Sequence, residues 1–290
     1  MKLKFVPVLA LFVALAALLS FAPSKEYIPQ IGLVAPIDQD SLVYAAGFRM
    51  IGETVSRMVS PALSEEQFKQ NLSRMKKAKC KVYLCNILFT GKIKIAGPNV
   101  NDARVVAYVD SVFARAQQAN IPFIVLGSGG ARRIPEGYDA QKAQADFVVL
   151  CRKMAVAAQK HGIMIAIENL NSSETNFLNT VKSAAEVVRA VNHPNFKLNA
   201  DIFHMLRESE SPQSIIDAKD ILVHCEIAEK QNRSFPGVQG EDFKPYLRAL
   251  RKAKYKGNVF IEGNTTSPRT DIPLAFNYLT KQIKEVYAER

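Results

Sequence analysis

The sequence predicts an α/β fold of the (β/α)8 TIM-barrel class, a single domain behind an N-terminal signal segment. Three observations carry that prediction. Eight short apolar runs alternate with longer segments of helical spacing, the order that a parallel sheet covered by helices requires. The 290 residues, 48% of them apolar, suit one large core, and no low-complexity tract or Pro/Gly/Ser linker divides them. The last four apolar runs each end in a residue able to bind a metal ion, an arrangement with a use only where strand ends converge, as at the mouth of a closed barrel. An open doubly wound sheet would scatter them along a line.

Residues 1–24 read as a signal peptide and 25–290 as the barrel. Lys2 and Lys4 precede an apolar run over 5–22, and Ala22-Pro23-Ser24 offers small residues for cleavage. The expectation is export, periplasmic or secreted, with no stable membrane span once the leader is removed; an uncleaved N-terminal anchor is the alternative.

The first strand is 31–36, followed by a short helix at 40–48 and the second strand at 50–55. Ser64 ahead of Glu65, Glu66 and Gln67 is a capped helix start with acids in its first turn, and that helix runs to 77. The third strand is 80–89, and a loop through Gly91 and Gly97-Pro98 leads to a helix at 103–119. The fourth strand, 122–126, ends in Gly127-Ser128-Gly129-Gly130-Ala131-Arg132-Arg133. That cluster lacks the order of a phosphate-binding loop. It reads as a plain tight turn, or as backbone approaching a ligand with Arg132 or Arg133 open to an anion. A helix at 139–160 precedes the apolar run 163–168, and 180–191 is the next helix. Strands at 197–201, 220–224 and 258–262 then alternate with segments at 212–218, 243–253 and 273–287.

The run 163–168 organises the chain. Apolar throughout and flanked by Gly162 and a polar stretch, it reads as a strand covered on both faces, yet it ends in Glu168. An unpaired buried carboxylate costs several kcal/mol or becomes neutral, so Glu168 needs a partner, and a metal ion is the natural one. Asp201, His224 and Glu262 end the three following runs. Two glutamates, an aspartate and an imidazole form a mixed oxygen and nitrogen set suited to Mn²⁺, with Mg²⁺, Co²⁺ or Zn²⁺ as alternatives. Of the four histidines, His161 sits at a helix end and His193 in a loop before Pro194, which leaves His204 and His224. Glu53, at the end of the second strand, reads equally as a further site residue or as half of a surface pair, and Asn171 as a loop brace.

Composition narrows the partners. Lys and Arg number 38 against 27 Asp and Glu, a net +11 that falls to +9 if Lys2 and Lys4 leave with the leader. The basic residues are spread over helical segments without interleaved aromatics, so nucleic acid is not expected as a partner. Cys80 and Cys85 fall in one strand-like run, roughly 16 Å apart and beyond disulfide reach. All four cysteines, with Cys151 and Cys225, read as buried free thiols.

The motifs Glu168-Asn169-Leu170-Asn171 through Thr180, Asp201-Ile202-Phe203-His204-Met205, His224-Cys225-Glu226-Ile227-Ala228-Glu229, Arg233-Ser234-Phe235-Pro236-Gly237 and Glu262 together resemble the xylose-isomerase-like barrel family. Within it they are most similar to sugar isomerase/epimerase proteins of the ketose 3-epimerase type. The resemblance implies metal ligation by Glu168, Asp201, His224 and Glu262. It further implies proton transfer by Glu168 and Glu262 on opposite faces of a substrate, and contacts from Glu174, His204 and Arg233 to sugar hydroxyls. The departure lies between His224 and Arg233, where the loop is a few residues longer. The implied activity is a divalent-metal-dependent isomerase or epimerase on a small sugar or keto-sugar, in a chain for which a homo-oligomer is left open. The rivals are a 3-keto-glycoside lyase or hydrolase using the same residues, a DNA-repair endonuclease of the same superfamily, opposed by the few histidines and the leader, and a non-catalytic sugar-binding barrel.

Overall fold

The structure, a computed structural model, describes residues 26–289. The predicted signal segment lies outside them. Eight strands follow in chain order: β1 Ile31–Val34, β2 Met50–Thr54, β3 Lys81–Asn86, β4 Phe123–Leu126, β5 Met164–Glu168, β6 Phe196–Asp201, β7 Leu222–Ile227 and β8 Val259–Ile261. Each pairs in parallel with the next, and β1 pairs with β8, which closes the barrel the alternation predicts. The long helices Asp102–Gln118, Ala140–Lys160 and Pro268–Ala288 lie on its outside with shorter ones between.

Local chemistry places the helix starts. Ser64 accepts from the Gln67 amide at 3.1 Å while Gln67 returns a bond to the Ser64 amide at 2.8 Å, a reciprocal cap satisfying two of the helix's free donors. Asp139 accepts from the amides of Gln141 and Lys142 at the start of Ala140–Lys160. Short helices follow directly on the ends of β2 and β6, at Val55–Met58 and Ile202–Arg207, and two residues after the end of β4, at Gly129–Arg132. The last of these occupies the glycine cluster, where the sequence predicts a tight turn or backbone approaching a ligand.

Two strand ends differ from expectation with consequences for the site. β3 stops at Asn86 rather than 89, because Ile87 turns into the left-handed region (φ 53°). β7 continues to Ile227, three residues past the expected end at His224.

The barrel interior is plugged by aromatic and aliphatic side chains. Phe260, Leu84 and Val125 are fully buried there, and Tyr83 stacks on Phe123 (5.4 Å) and Phe260 (5.9 Å). Phe260 reaches the centre because β1 carries Gly32, where an added Cβ would lie 2.4 Å from its ring. Burying such a ring contributes about 2–3 kcal/mol. All four cysteines are free and buried, as expected. Glu53 is buried and tied up locally, accepting from the amides of Ile37 (2.8 Å) and Thr54 (3.1 Å) and lying 3.5 Å from the half-exposed Arg57; it is neither in the mouth cluster nor half of a surface pair, because its carboxylate satisfies backbone donors inside the fold.

Candidate metal centre and active site

At the C-terminal mouth of the barrel, Glu168 ends β5, Asp201 ends β6, Glu226 lies near the end of β7 and Glu262 directly follows β8. Each offers a carboxylate oxygen, and the four oxygens lie within 4.8 Å of one another. Three of the four ligands predicted from strand ends therefore converge. His224 does not join them. β7 runs on past it, and in the ladder Asp201 pairs with Glu226 while His224 pairs with Asn199, one pleat deeper. Its ring lies 5.2 Å from Phe260 and 6.0 Å from Phe123, on the aromatic plug, with Nε2 3.6 Å from Glu226 Oε1. The long loop expected between His224 and Arg233 has the same origin, since its first residues are strand.

The cluster has few counter-charges. Two ionised carboxylates about 4 Å apart repel by about 4 kcal/mol at an effective dielectric near 20. Burial, and then the charges of Glu226, Glu262 and Asp201, hold Glu168 well above the usual carboxylate range. Burial and the charges of Glu262 and Asp201 do the same to Glu226. Glu262 is also raised by burial, with Arg233 acting in the opposite sense. Oxygens opposed across a magnesium-sized ion are about 4.2 Å apart, a separation that the 4.8 Å limit on the four oxygens here accommodates, and Glu226 Oε1 is buried without a hydrogen-bond partner. The donor set fits a divalent cation.

Arg233 is the cation that faces the cluster. Its Nη2 reaches Glu262 Oε2 at 2.7 Å and Asp201 Oδ2 at 3.3 Å, Nη1 lies 3.6 Å from Glu174, and the guanidinium stacks 4.8 Å over Phe203. Burial works against its charge, but Glu262 and Asp201 outweigh that and raise its pKa. His204 sits on the helix that Asp201 caps, its Nε2 3.3 Å from Glu168 Oε1 and 3.7 Å from Asp201 Oδ2. Its Nδ1 accepts the Asn171 backbone N–H at 3.0 Å, so in the neutral ring the proton is on Nε2, which faces Glu168 without a hydrogen-bond partner. The predicted contact residues Glu174, His204 and Arg233 thus all border the cluster.

Several supporting residues gave no sequence signal of their role. Asn169 ties β5 to β6 by donating to the Asp201 carbonyl (3.2 Å) and accepting its amide (3.0 Å). Asn199 donates to Glu226, and Asn86 to Glu262. Arg132, fully buried, is engaged by backbone instead of open to an anion: it donates to the carbonyls of Glu168 (2.7 Å) and Leu178 (3.4 Å), and burial brings its pKa down to about 10. Arg133 is exposed. Glu229 accepts from Ser234 Oγ and the amides of Gly237, Gln239, Gly240 and Glu241, which fixes the loop that delivers Arg233. Gly127 lies against Glu168, where a Cβ would meet Oε2 at 2.2 Å.

Residues 41–282 match the model of the xylose isomerase-like TIM barrel. The chain belongs to that family. It is 32% identical over 116 residues to a ketose 3-epimerase of Arthrobacter globiformis, a match spanning 40% of each chain. It is 31% identical over 173 residues to a putative hydroxypyruvate isomerase of Homo sapiens, 57% of this chain and 60% of the relative. These curated relatives are thus matched over less than two thirds of their length. The fold also resembles the apo crystal structure of a 3-keto-D-glucoside 4-epimerase from E. coli, with TM-score 0.74 and 17% identity, covering 87% of this chain and 99% of that one.

Proposed function

We propose that this family member is a divalent-metal-dependent sugar isomerase or epimerase that moves a proton at the carbon beside a carbonyl. The observation that carries the reading is the placement of Glu168 and Glu262. Both border a cavity of about 290 Å³, between the side-chain-poor segment 127–130 and the pair Glu174 and Arg233, whereas Asp201 and Glu226 do not reach it. Two carboxylates at the cavity and two that only hold charge beneath it are what transfer of a proton to and from one carbon needs.

A divalent cation anchored on Glu168, Asp201 and Glu262, Mn²⁺ or Mg²⁺ on the chemistry of the donors, would polarise the substrate's carbonyl and a neighbouring hydroxyl as a Lewis acid. Glu168 and Glu262 form the acid and base pair, one taking the proton and the other delivering one, a step to which each positioned group contributes about 10²–10⁴-fold. The Arg233 guanidinium donates to substrate oxygens and Glu174, more open to solvent, accepts from a hydroxyl, while His204 Nε2–H lies beneath the cavity lining and faces Glu168 Oε1 at 3.3 Å.

Charge selects the substrate class. Glu168, Glu174, Asp201, Glu226 and Glu262 face Arg233, which Glu262 and Asp201 already engage. With the two charges of a bound divalent cation and Arg233 already committed to these carboxylates, no free cation is left at the cavity for the anionic group of a sugar phosphate, so the reading is an uncharged keto-sugar, in accord with the ketose 3-epimerase named among the relatives. The apolar run at 5–22 adds export to the proposal.

The test is incubation with Mn²⁺ and a panel of ketoses and 3-keto-glycosides in deuterated water. Deuterium enters at the carbon beside the carbonyl, and Glu168→Gln or Glu262→Gln abolishes that entry with the fold intact. Release of an aglycone instead of inversion places the chain with the eliminating enzymes. Full turnover by metal-stripped protein, or no exchange with any substrate, sinks the proposal.

A further inference from the structure

Resting on that reading, we infer that the fourth metal ligand is Glu226 and not His224, which makes the centre an all-carboxylate site suited to hard divalent cations. Register decides which β7 side chain lies level with the other carboxylates. Asp201 and Glu226 are cross-strand partners, and His224, two residues earlier, falls on the same face about 7 Å lower along the strand. There it packs on Phe260 and Phe123. Glu226 is completely buried, and although Asn199 donates to its Oε2, its Oε1 has no partner. A buried carboxylate oxygen left bare among three other carboxylates asks for a cation.

The other imidazole is not a substitute. His204 has its Nδ1 lone pair occupied by the Asn171 backbone N–H, which leaves a protonated Nε2 facing Glu168 and without a lone pair to give a metal. All four ligand atoms are then carboxylate oxygens. Carboxylates suit Mg²⁺ and Mn²⁺, while imidazole adds affinity for Zn²⁺ and Co²⁺, so the exchange of a nitrogen for an oxygen narrows the usual preference for zinc over manganese.

The experiment is calorimetric titration of metal-stripped full-length protein with MnCl₂ and, separately, ZnCl₂, for the wild type, Glu226→Gln, Glu226→His and His224→Phe, with thermal melts of each stripped protein to confirm folding. Loss of a direct ligand exceeds the 10–100-fold typical of residues that merely orient one, so Glu226→Gln weakens Mn²⁺ binding by about 100-fold or more. His224→Phe, which keeps the aromatic packing, changes it by less than about threefold. Glu226→His raises affinity for Zn²⁺ relative to Mn²⁺ by at least about tenfold, and carries the test if Glu226→Gln does not fold. If His224→Phe abolishes binding while Glu226→Gln keeps it, the assignment is overturned in favour of His224. An unchanged zinc-to-manganese ratio in Glu226→His overturns the selectivity. A wild type that binds neither ion removes the metal-dependent reading itself, and this inference with it.

Discussion

Gly127→Ala separates catalysis from folding at this site. The new methyl carbon would lie 2.2 Å from Glu168 Oε2, against an ordinary contact of 3.4 Å, so the carboxylate oxygen must retreat by 1.2 Å. Gly127 is not in the left-handed region, so alanine meets no backbone strain, and the atom displaced is the free end of a side chain. Loss of glycine's freedom in the unfolded chain even contributes about 0.4–1 kcal/mol in favour of folding, so the melting temperature stays within a few degrees of wild type. The reacting geometry does not escape so lightly. A misplacement of about 1 Å costs on the order of 10²-fold in rate. The expected result is a roughly 100-fold fall in deuterium incorporation at saturating Mn²⁺ beside an unchanged thermal melt. Turnover within about threefold of wild type would show that Glu168 is not the group at the reacting carbon, since no other tight contact at Gly127 absorbs the shift.

Other perturbations test the barrel, the loop and the buried ring. Gly32→Ala forces a methyl to within 2.4 Å of the Phe260 ring and should cost about 1–3 kcal/mol, read as a lower urea midpoint at unchanged slope; an unaltered midpoint refutes the account of the plug. Glu229→Gln removes the charge that four amides and one hydroxyl share, and trypsin should then cut faster at Lys230 and Arg233 in the loosened loop. Wild-type resistance would mean the loop holds itself. In metal-stripped protein, burial depresses His224 to about 3 from 6.5, so the unfolded chain binds a proton the folded one refuses. Its contribution is complete above pH 6.5 and is lost on acidification toward pH 3 by about 1.4 kcal/mol per unit. His224→Phe should therefore flatten the fall in urea-derived stability between pH 6 and 4 by roughly 2–3 kcal/mol; equal slopes in the two proteins reject a neutral His224.

What the sequence made legible follows from how far local pattern reaches. Apolar runs delimited by glycine and charge mark every strand, and Glu168, Asp201 and Glu262 are visible because the polar residue interrupts the run at its end. On β7 the interruption comes early. His224 breaks the run in mid-strand, and a reading that stops there counts the wrong residue as the rim. The pattern that corrects it is two-residue alternation. Cys225 and Ile227 are buried in the core that packs under the helices while His224 and Glu226 share the inward face, so the strand continues and the last inward residue, Glu226, is the one beside Asp201. His224 sits one pleat below that rim, against Phe123 and Phe260. The roles of Arg132, Asn169 and Glu229 have no such local signature. Each binds backbone groups far along the chain or across a loop, and only closure of the barrel brings those groups within reach. Sequence pattern thus locates the side chains that end strands, while the partners that fix their position emerge from topology.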